Sequence, residues 1–186
     1  CGSALVDTVA ELLRLGAIDE SGALRVPDDA AEGLASRFQT VGGEATVTLA
    51  WGAAGESAVR LTQQDIRELQ LASGAIRAGI ETLLHTAGVT ARSLGALLLA
   101  GGFGNTLRIA NAMRIGLLPR AEETAVRFIG NASLAGAKQA LLVRGERARA
   151  QSLRDRTEHI DLSRQPGFSD CFMEHMLFPS EQGVSA

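Results

Sequence analysis

Cysteine is nearly missing from this 186-residue chain: Cys1 and Cys171 are the only two, and they stand far apart. That excludes a CxxC cluster or a self-sufficient iron–sulfur site within the chain, and it argues against a disulfide framework. No apolar run reaches the roughly 18 residues a membrane span needs, and no signal peptide is visible. The expectation is therefore a cytoplasmic protein with no membrane contact. One-sided charge is missing too. The net charge is −3 and the basic residues are scattered, unlike the clustered Lys/Arg footprint of a nucleic-acid binder. The Arg-rich stretch 144–156 is broken by Glu146 and Asp155 and reads as a solvated helix face. The three histidines, His85, His159 and His175, have no partner at ligand spacing and read as surface residues. No Gly-x-Ser-x-Gly elbow is present.

The length suits one domain or two small lobes sharing a core, burying about 70% of the unfolded surface. Ser3 can cap a helix running to about Leu15, with Leu5, Val9, Leu12 and Leu13 on one face and Gly16 as its stop. Residues 17–34 read as an irregular connection. An antiparallel meander follows: Arg37–Val41, then Glu44–Trp51 with Ala45, Val47, Leu49 and Trp51 on one face, then Ser57–Leu61. Thr62 and Asp65 form an acidic capping box for a helix through His85. Its middle is made of small residues, Ala72-Ser73-Gly74-Ala75 and Ala78-Gly79. A helix-interior glycine costs about 1 kcal/mol against alanine, so something approaches closely there; another helix and a ligand are both open.

Leu94–Ala100 reads as a strand buried on both faces, followed by a glycine turn and a helix from Arg108 to Ile115. Thr124–Ile129 is a second strand of the same kind, with a helix over Ala132–Val143. This strand–glycine–helix repetition predicts a parallel βαβ arrangement. Further expectations are a helix over Glu146–Thr157, an added strand at His159–Leu162 and a short helix over Phe168–Phe178.

Three places ask for close backbone approach. The first is Gly101-Gly102-Phe103-Gly104-Asn105, just beyond a strand, where ligands gather in open α/β sheets. It is neither GxGxxG nor a Walker loop, and taken alone it leaves a packing turn and a nucleotide site equally open. The second is Gly130-Asn131-Ala132-Ser133-Leu134-Ala135-Gly136, where helix–sheet packing is the simpler reading. The third is Cys1-Gly2-Ser3, whose backbone N–H groups at a helix start could face an anion; Cys1 could be a low-pKa thiol there, and a plain N-terminal turn is the other reading. Because the chain runs straight from Cys1 into a helix, it reads as the carboxy-terminal piece of a longer protein.

The segments Cys1-Gly2-Ser3-Ala4-Leu5-Val6-Asp7, Gln64-Asp65-Ile66-Arg67-Glu68-Leu69-Gln70-Leu71-Ala72, Leu99-Ala100-Gly101-Gly102-Phe103-Gly104-Asn105 and Gly130–Gly136, in this order, resemble one family. It is the carboxy-terminal domain of the ATP-dependent reductive activators of corrinoid proteins. The resemblance implies an α/β fold: an actin-like ATPase lobe (ribonuclease H-like) with a mixed sheet flanked by helices, plus a small antiparallel β-meander. The implied layout is a meander insertion at 35–62, a nucleotide-lobe core at 63–164 and an extension at 165–186. It further implies that ATP, with Mg, binds between two lobes of the full protein. Gly101, Gly102, Phe103, Gly104 and Asn105 would form the adenosine motif, Gln70, Ser73 and Arg77 would lie near the purine, and Gly2 and Ser3 near the phosphates. Ala4 and Ser73 depart from the glycine and lysine expected there, and Ser73 bears on the purine contact. The phosphate loops and a [2Fe-2S] ferredoxin domain would precede residue 1. The implied partner is a corrinoid methyl-transfer protein, whose cob(II)alamin is returned to cob(I)alamin; homodimerisation is left open. Two rival readings are a docking and dimerisation module without nucleotide binding, and part of a small-molecule kinase.

Overall fold

The computed structural model describes residues 2–53, 57–102, 106–120 and 125–180. The first helix, α1 (Gly2–Arg14), buries Val6, Val9, Ala10 and Leu12, the one-sided spacing expected of an amphipathic helix. Gly16, at φ +69°, reverses the chain, and the amide of Ala17 reaches back to the Leu12 carbonyl at 2.8 Å, closing the helix end. The following connection holds one antiparallel bridge, Ile18 to Leu24, and one short helix, α2 (Glu32–Ala35).

Strands β1 (Phe38–Val41), β2 (Glu44–Ala50) and β3 (Val59–Thr62) form the antiparallel meander in that order. Its tight turn has both glycines at positive φ, Gly42 at 62° and Gly43 at 87°, the conformation a two-residue hairpin needs. The face assignment of β2 needs correction. Thr46 and Thr48 are buried along with Val47, while Leu49 and Trp51 are exposed. Thr46 is buried without penalty because its hydroxyl donates to the Gln39 carbonyl at 3.1 Å.

Helix α3 (Gln63–Ala87) starts on the expected capping box: the Asp65 amide donates to Thr62 Oγ1 at 3.1 Å, and the Thr62 amide donates to Asp65 Oδ2 at 2.9 Å. After a 3₁₀ turn at Ala91–Ser93 comes β4 (Leu97–Ala100), then α4 (Ile109–Arg114). Strand β5 (Val126–Gly130) pairs with β4 in parallel, Leu97 beside Val126, as the βαβ reading requires. Helices α5 (Ala132–Leu142) and α6 (Glu146–Asp155) follow. Neither strand is buried on both faces: Leu98, Phe128 and Ile129 are all exposed, and β4 is shorter at its start than expected. No strand forms at 159–162; the Asp161 carboxylate accepts from the amide and hydroxyl of Ser163, at 3.1 and 2.6 Å, and winds the chain into a 3₁₀ turn at Leu162–Arg164.

The last helix, α7 (Phe168–His175), lies along α3. A Cβ on Gly74 would sit 3.2 Å from the backbone of His175, and one on Gly79 would sit 3.3 Å from Leu162. The small residues of α3 therefore admit the carboxy-terminal segment, which decides between the two readings left open at Gly74 in favour of a helix. The core joins α1, the meander, α3 and α4 through Val9, Ile18, Val47, Ile66 and Ile115, and Phe178 returns to it at 3% exposure. Among the described residues, no helix is long and apolar enough to cross a membrane.

Candidate functional site

The glycine turn leaves the carboxyl end of β4. Gly101 stands at φ +104°, a region side chains disfavour, and its amide donates to the Gly130 carbonyl at 2.7 Å, extending the β4–β5 pairing by one rung. Among the described residues, no atom lies within 4 Å of where a Cβ would stand on Gly101 or Gly102. Phe103, Gly104 and Asn105 lie outside the described residues, as does Cys1.

Helix α1 is tied to α4 by Asp7. One Asp7 oxygen accepts from Asn111 Nδ2 at 2.7 Å, and the other lies 3.7 Å from Arg108 Nε. Both partners belong to the entry of α4, directly after the glycine turn. Gly2 is exposed at the tip of α1 and Ser3 is buried at 7%. Sequence reasoning picked out the turn and the helix start separately and missed the Asp7–Asn111 bond that joins α1 to α4. A buried asparagine facing an aspartate from another helix carries no periodic signal.

The α3 residues are placed differently. Gln70, at 3% exposure, donates to the carbonyls of Ser21 at 3.2 Å and Met176 at 2.8 Å, and its carboxamide oxygen accepts from Arg67 at 3.0 Å. Ser73 is 2% exposed and donates back to the Leu69 carbonyl at 2.8 Å. Arg77 is paired with Glu81 at 2.6 Å. Ser73 turns back on its own helix, Arg77 lines a cavity with Glu174 and His175, and Gln70 faces the carboxy-terminal segment and the loop at 19–22. That loop is shaped by Asp19, whose carboxylate accepts from the Ser21 hydroxyl at 2.6 Å and from the amides of Ser21 and Ala23. The Ser21 hydroxyl, helped by those amides, holds the Asp19 carboxyl below its usual range.

Beyond the glycine turn, Gly130 is at φ +66° and Asn131 caps α5 by accepting from the Leu134 amide at 2.9 Å. Gly136 has nothing within 4 Å of a built Cβ, so close packing is not what it serves among the described residues. His175 is half-buried rather than a surface residue; burial, then the Arg77 guanidinium, pushes its pKa below the usual value. Burial, reinforced by Glu81 and Glu174, raises the Cys171 thiol, so it is not poised as a thiolate. Among the described residues, no group of three His, Cys, Asp or Glu could hold a metal ion.

A parallel strand–glycine turn–helix unit, joined to an antiparallel meander and a long helix, defines a mixed α/β lobe of the actin-like ATPase type. The family model described as the C-terminal domain of RACo, the ASKHA domain, matches residues 1–185, and the chain belongs to that family. It is similar to the "Corrinoid activation enzyme RamQ" of Eubacterium limosum, 34% identical over 184 residues, covering 96% of this chain and 31% of that enzyme. A solved structure of a "Reductive activator for corrinoid, iron-sulfur protein" superposes with a TM-score of 0.84 at 32% identity, covering 96% of this chain and 28% of the other. The chain thus spans about a third of the length of these relatives.

Proposed function

We propose that this chain is the adenosine-binding part of an ATP-dependent reductive activator, one that returns cob(II)alamin to cob(I)alamin on a corrinoid methyl-transfer protein. The observation that carries the reading is the family match over residues 1–185, joined to a glycine turn open at the carboxyl end of β4. The residues present fit a nucleoside: Gly101 and Gly102 leave backbone accessible where a Cβ would fill the space. ATP, when bound with Mg, supplies the free energy that makes an uphill electron transfer proceed. The part of this chain is to bind and orient it. Gly101 and Gly102 let the nucleoside approach, and the Asp7–Asn111 bond holds α1 and α4 together so that the turn and the α1 start keep their spacing. A [2Fe-2S] cluster in the whole protein would need ligands beyond Cys1 and Cys171. Nucleotide would act on the corrinoid partner only through a lobe arrangement that both prefer.

The test is thermal unfolding with and without Mg·ADP. Ligand at about a hundred times its Kd adds about 2.7 kcal/mol, and at roughly 2–4 °C per kcal/mol the expected rise is about 5–11 °C. Gly102→Val should abolish it. Should neither this chain nor the full-length protein respond, the nucleotide reading falls. A docking or dimerisation module would then remain, a reading favoured by the exposed apolar residues of α5, Leu134, Leu141 and Leu142. In the full-length protein, ATP-dependent loss of the cob(II)alamin absorbance of a corrinoid protein tests the activity itself.

A further inference from the structure

A cavity of about 580 Å³ lies where α3, the exit of α4, the turn at 90–92 and the carboxy-terminal segment meet. It is separate from the glycine turn. Its wall takes Thr90 and Arg92, which precede β4, and Met113 and Gly116, which end α4. Gly101 and Gly102 stand at the opposite end of β4 and lead into α4, and neither lines it. Three arginines from three places in the chain, Arg77, Arg92 and Arg120, line the wall. Arg77 is the buried one: Glu81 takes its Nη2 at 2.6 Å, and its side chain is 17% exposed. Its Nε has no hydrogen-bond partner among the described residues. A guanidinium N–H removed from water without an acceptor is unfavourable, so what holds Arg77 in place is its pair with Glu81, which leaves the rest of its guanidinium to line the wall.

We propose that this cavity is a second anion site, for a small organic phosphate. Guanidinium forks match phosphate oxygens, and several can share one phosphate. The volume is within the usual range of small-ligand sites. The other side of the wall is organic in character, with Met113, Leu118 and Phe178. Glu20 and Glu174 also line it, and Glu81 holds Arg77, so three arginines are met by three carboxylates. This suits a phosphate monoester with an apolar body better than a bare polyanion. The cavity takes neither Gly101 nor Gly102 into its wall but does take Arg77, which the family resemblance sets near the purine, so the Gly102→Val variant is what separates the two sites.

The experiment is calorimetric titration of phenyl phosphate, and separately of inorganic phosphate, into the full-length protein. Wild type should bind phenyl phosphate saturably and inorganic phosphate more weakly. Arg120→Ala and Arg77→Gln should each weaken phenyl phosphate binding by about tenfold or more, while Gly102→Val should leave it unchanged. Arg120 is exposed, so its variant remains informative if Arg77→Gln fails to fold. Absence of saturation in wild type would mean that the cavity holds only water, and the proposal falls. It falls equally if both arginine variants bind as wild type does, or if Gly102→Val abolishes binding, which would move the phosphate to the glycine turn. Loss of Mg·ADP binding in Gly102→Val with phenyl phosphate binding intact would support both sites independently.

Discussion

One carboxamide, that of Gln70, ties three stretches of chain together: α3, the loop at 19–22 and the end of α7. Gln70→Ala takes the amide donor from the Met176 carbonyl and one of two donors from the Ser21 carbonyl, which Arg67 Nη1 also reaches at 2.9 Å. The expected cost is about 2–3 kcal/mol, read as a fall in Tm of about 4–12 °C for a chain of this size; an unchanged Tm would show that water replaces the amide. His175 sits in the same seam, facing Arg77, Glu81, Cys171 and Glu174. Its folded pKa lies below the ordinary value of 6.5 because burial, then Arg77, disfavours the charged ring. The unfolded chain then binds the proton more readily. Stability is fully present above pH 6.5 and declines as the pH falls from there through the folded midpoint. His175→Gln should flatten that part of the stability profile, and a proton NMR titration should give a midpoint below 6.5. A midpoint at or above 6.5 would contradict the burial argument.

Among the elements, two helix-interior glycines have opposite environments. Gly74 in α3 faces the His175 backbone and the Met176 side chain at 3.2 Å, whereas Gly136 in α5 faces nothing within 4 Å. Gly136→Ala should stabilise this chain by about 0.5–1 kcal/mol through helix propensity alone. Gly74→Val should destabilise it by about 1–3 kcal/mol, because a branched side chain must push α7 away. Chemical denaturation of the pair decides the matter; equal effects would mean that α7 is not seated on α3. The cap of α3, the turn at Gly42–Gly43 and the end of α1 were all legible in the sequence, since each rests on contacts within a few residues. The inner face of β2 was not legible. Alternation alone chose Leu49 and Trp51; Thr46 could be buried once Gln39 supplied it an acceptor, whereas the buried Thr48 hydroxyl has no partner among the described residues.

For the whole molecule, the exposed apolar residues concentrate on β4, β5, α5 and α6: Leu98, Phe128, Ile129, Leu141, Leu142 and Leu153. Leu141 and Leu142 are 72% and 77% exposed, more than isolated surface leucines on one short helix would warrant. Expressed alone, the 186-residue chain is expected to self-associate in sedimentation at micromolar concentration. Leu141→Glu with Leu142→Glu should shift it toward monomer. A monomeric wild-type chain would show that this face is stable in water. The strands were expected to be buried on both faces because their residues are apolar; composition reports the burial a segment favours, and the neighbours decide whether it happens.

From the sequence alone came the mixed α/β class, the order of strands and helices apart from α2 and the strand expected at 159–162, the family resemblance and the choice of the Gly101–Gly102 turn. All of these depend on local backbone preferences or on motifs read along the chain. Tertiary structure alone decided what the glycines of α3 admit, that Gln70 turns toward the carboxy-terminal segment, that Asp7 joins α1 to α4, and that three distant arginines share one cavity. Such contacts form between residues up to about a hundred positions apart, and no periodicity records which of them meet once the chain has closed on itself.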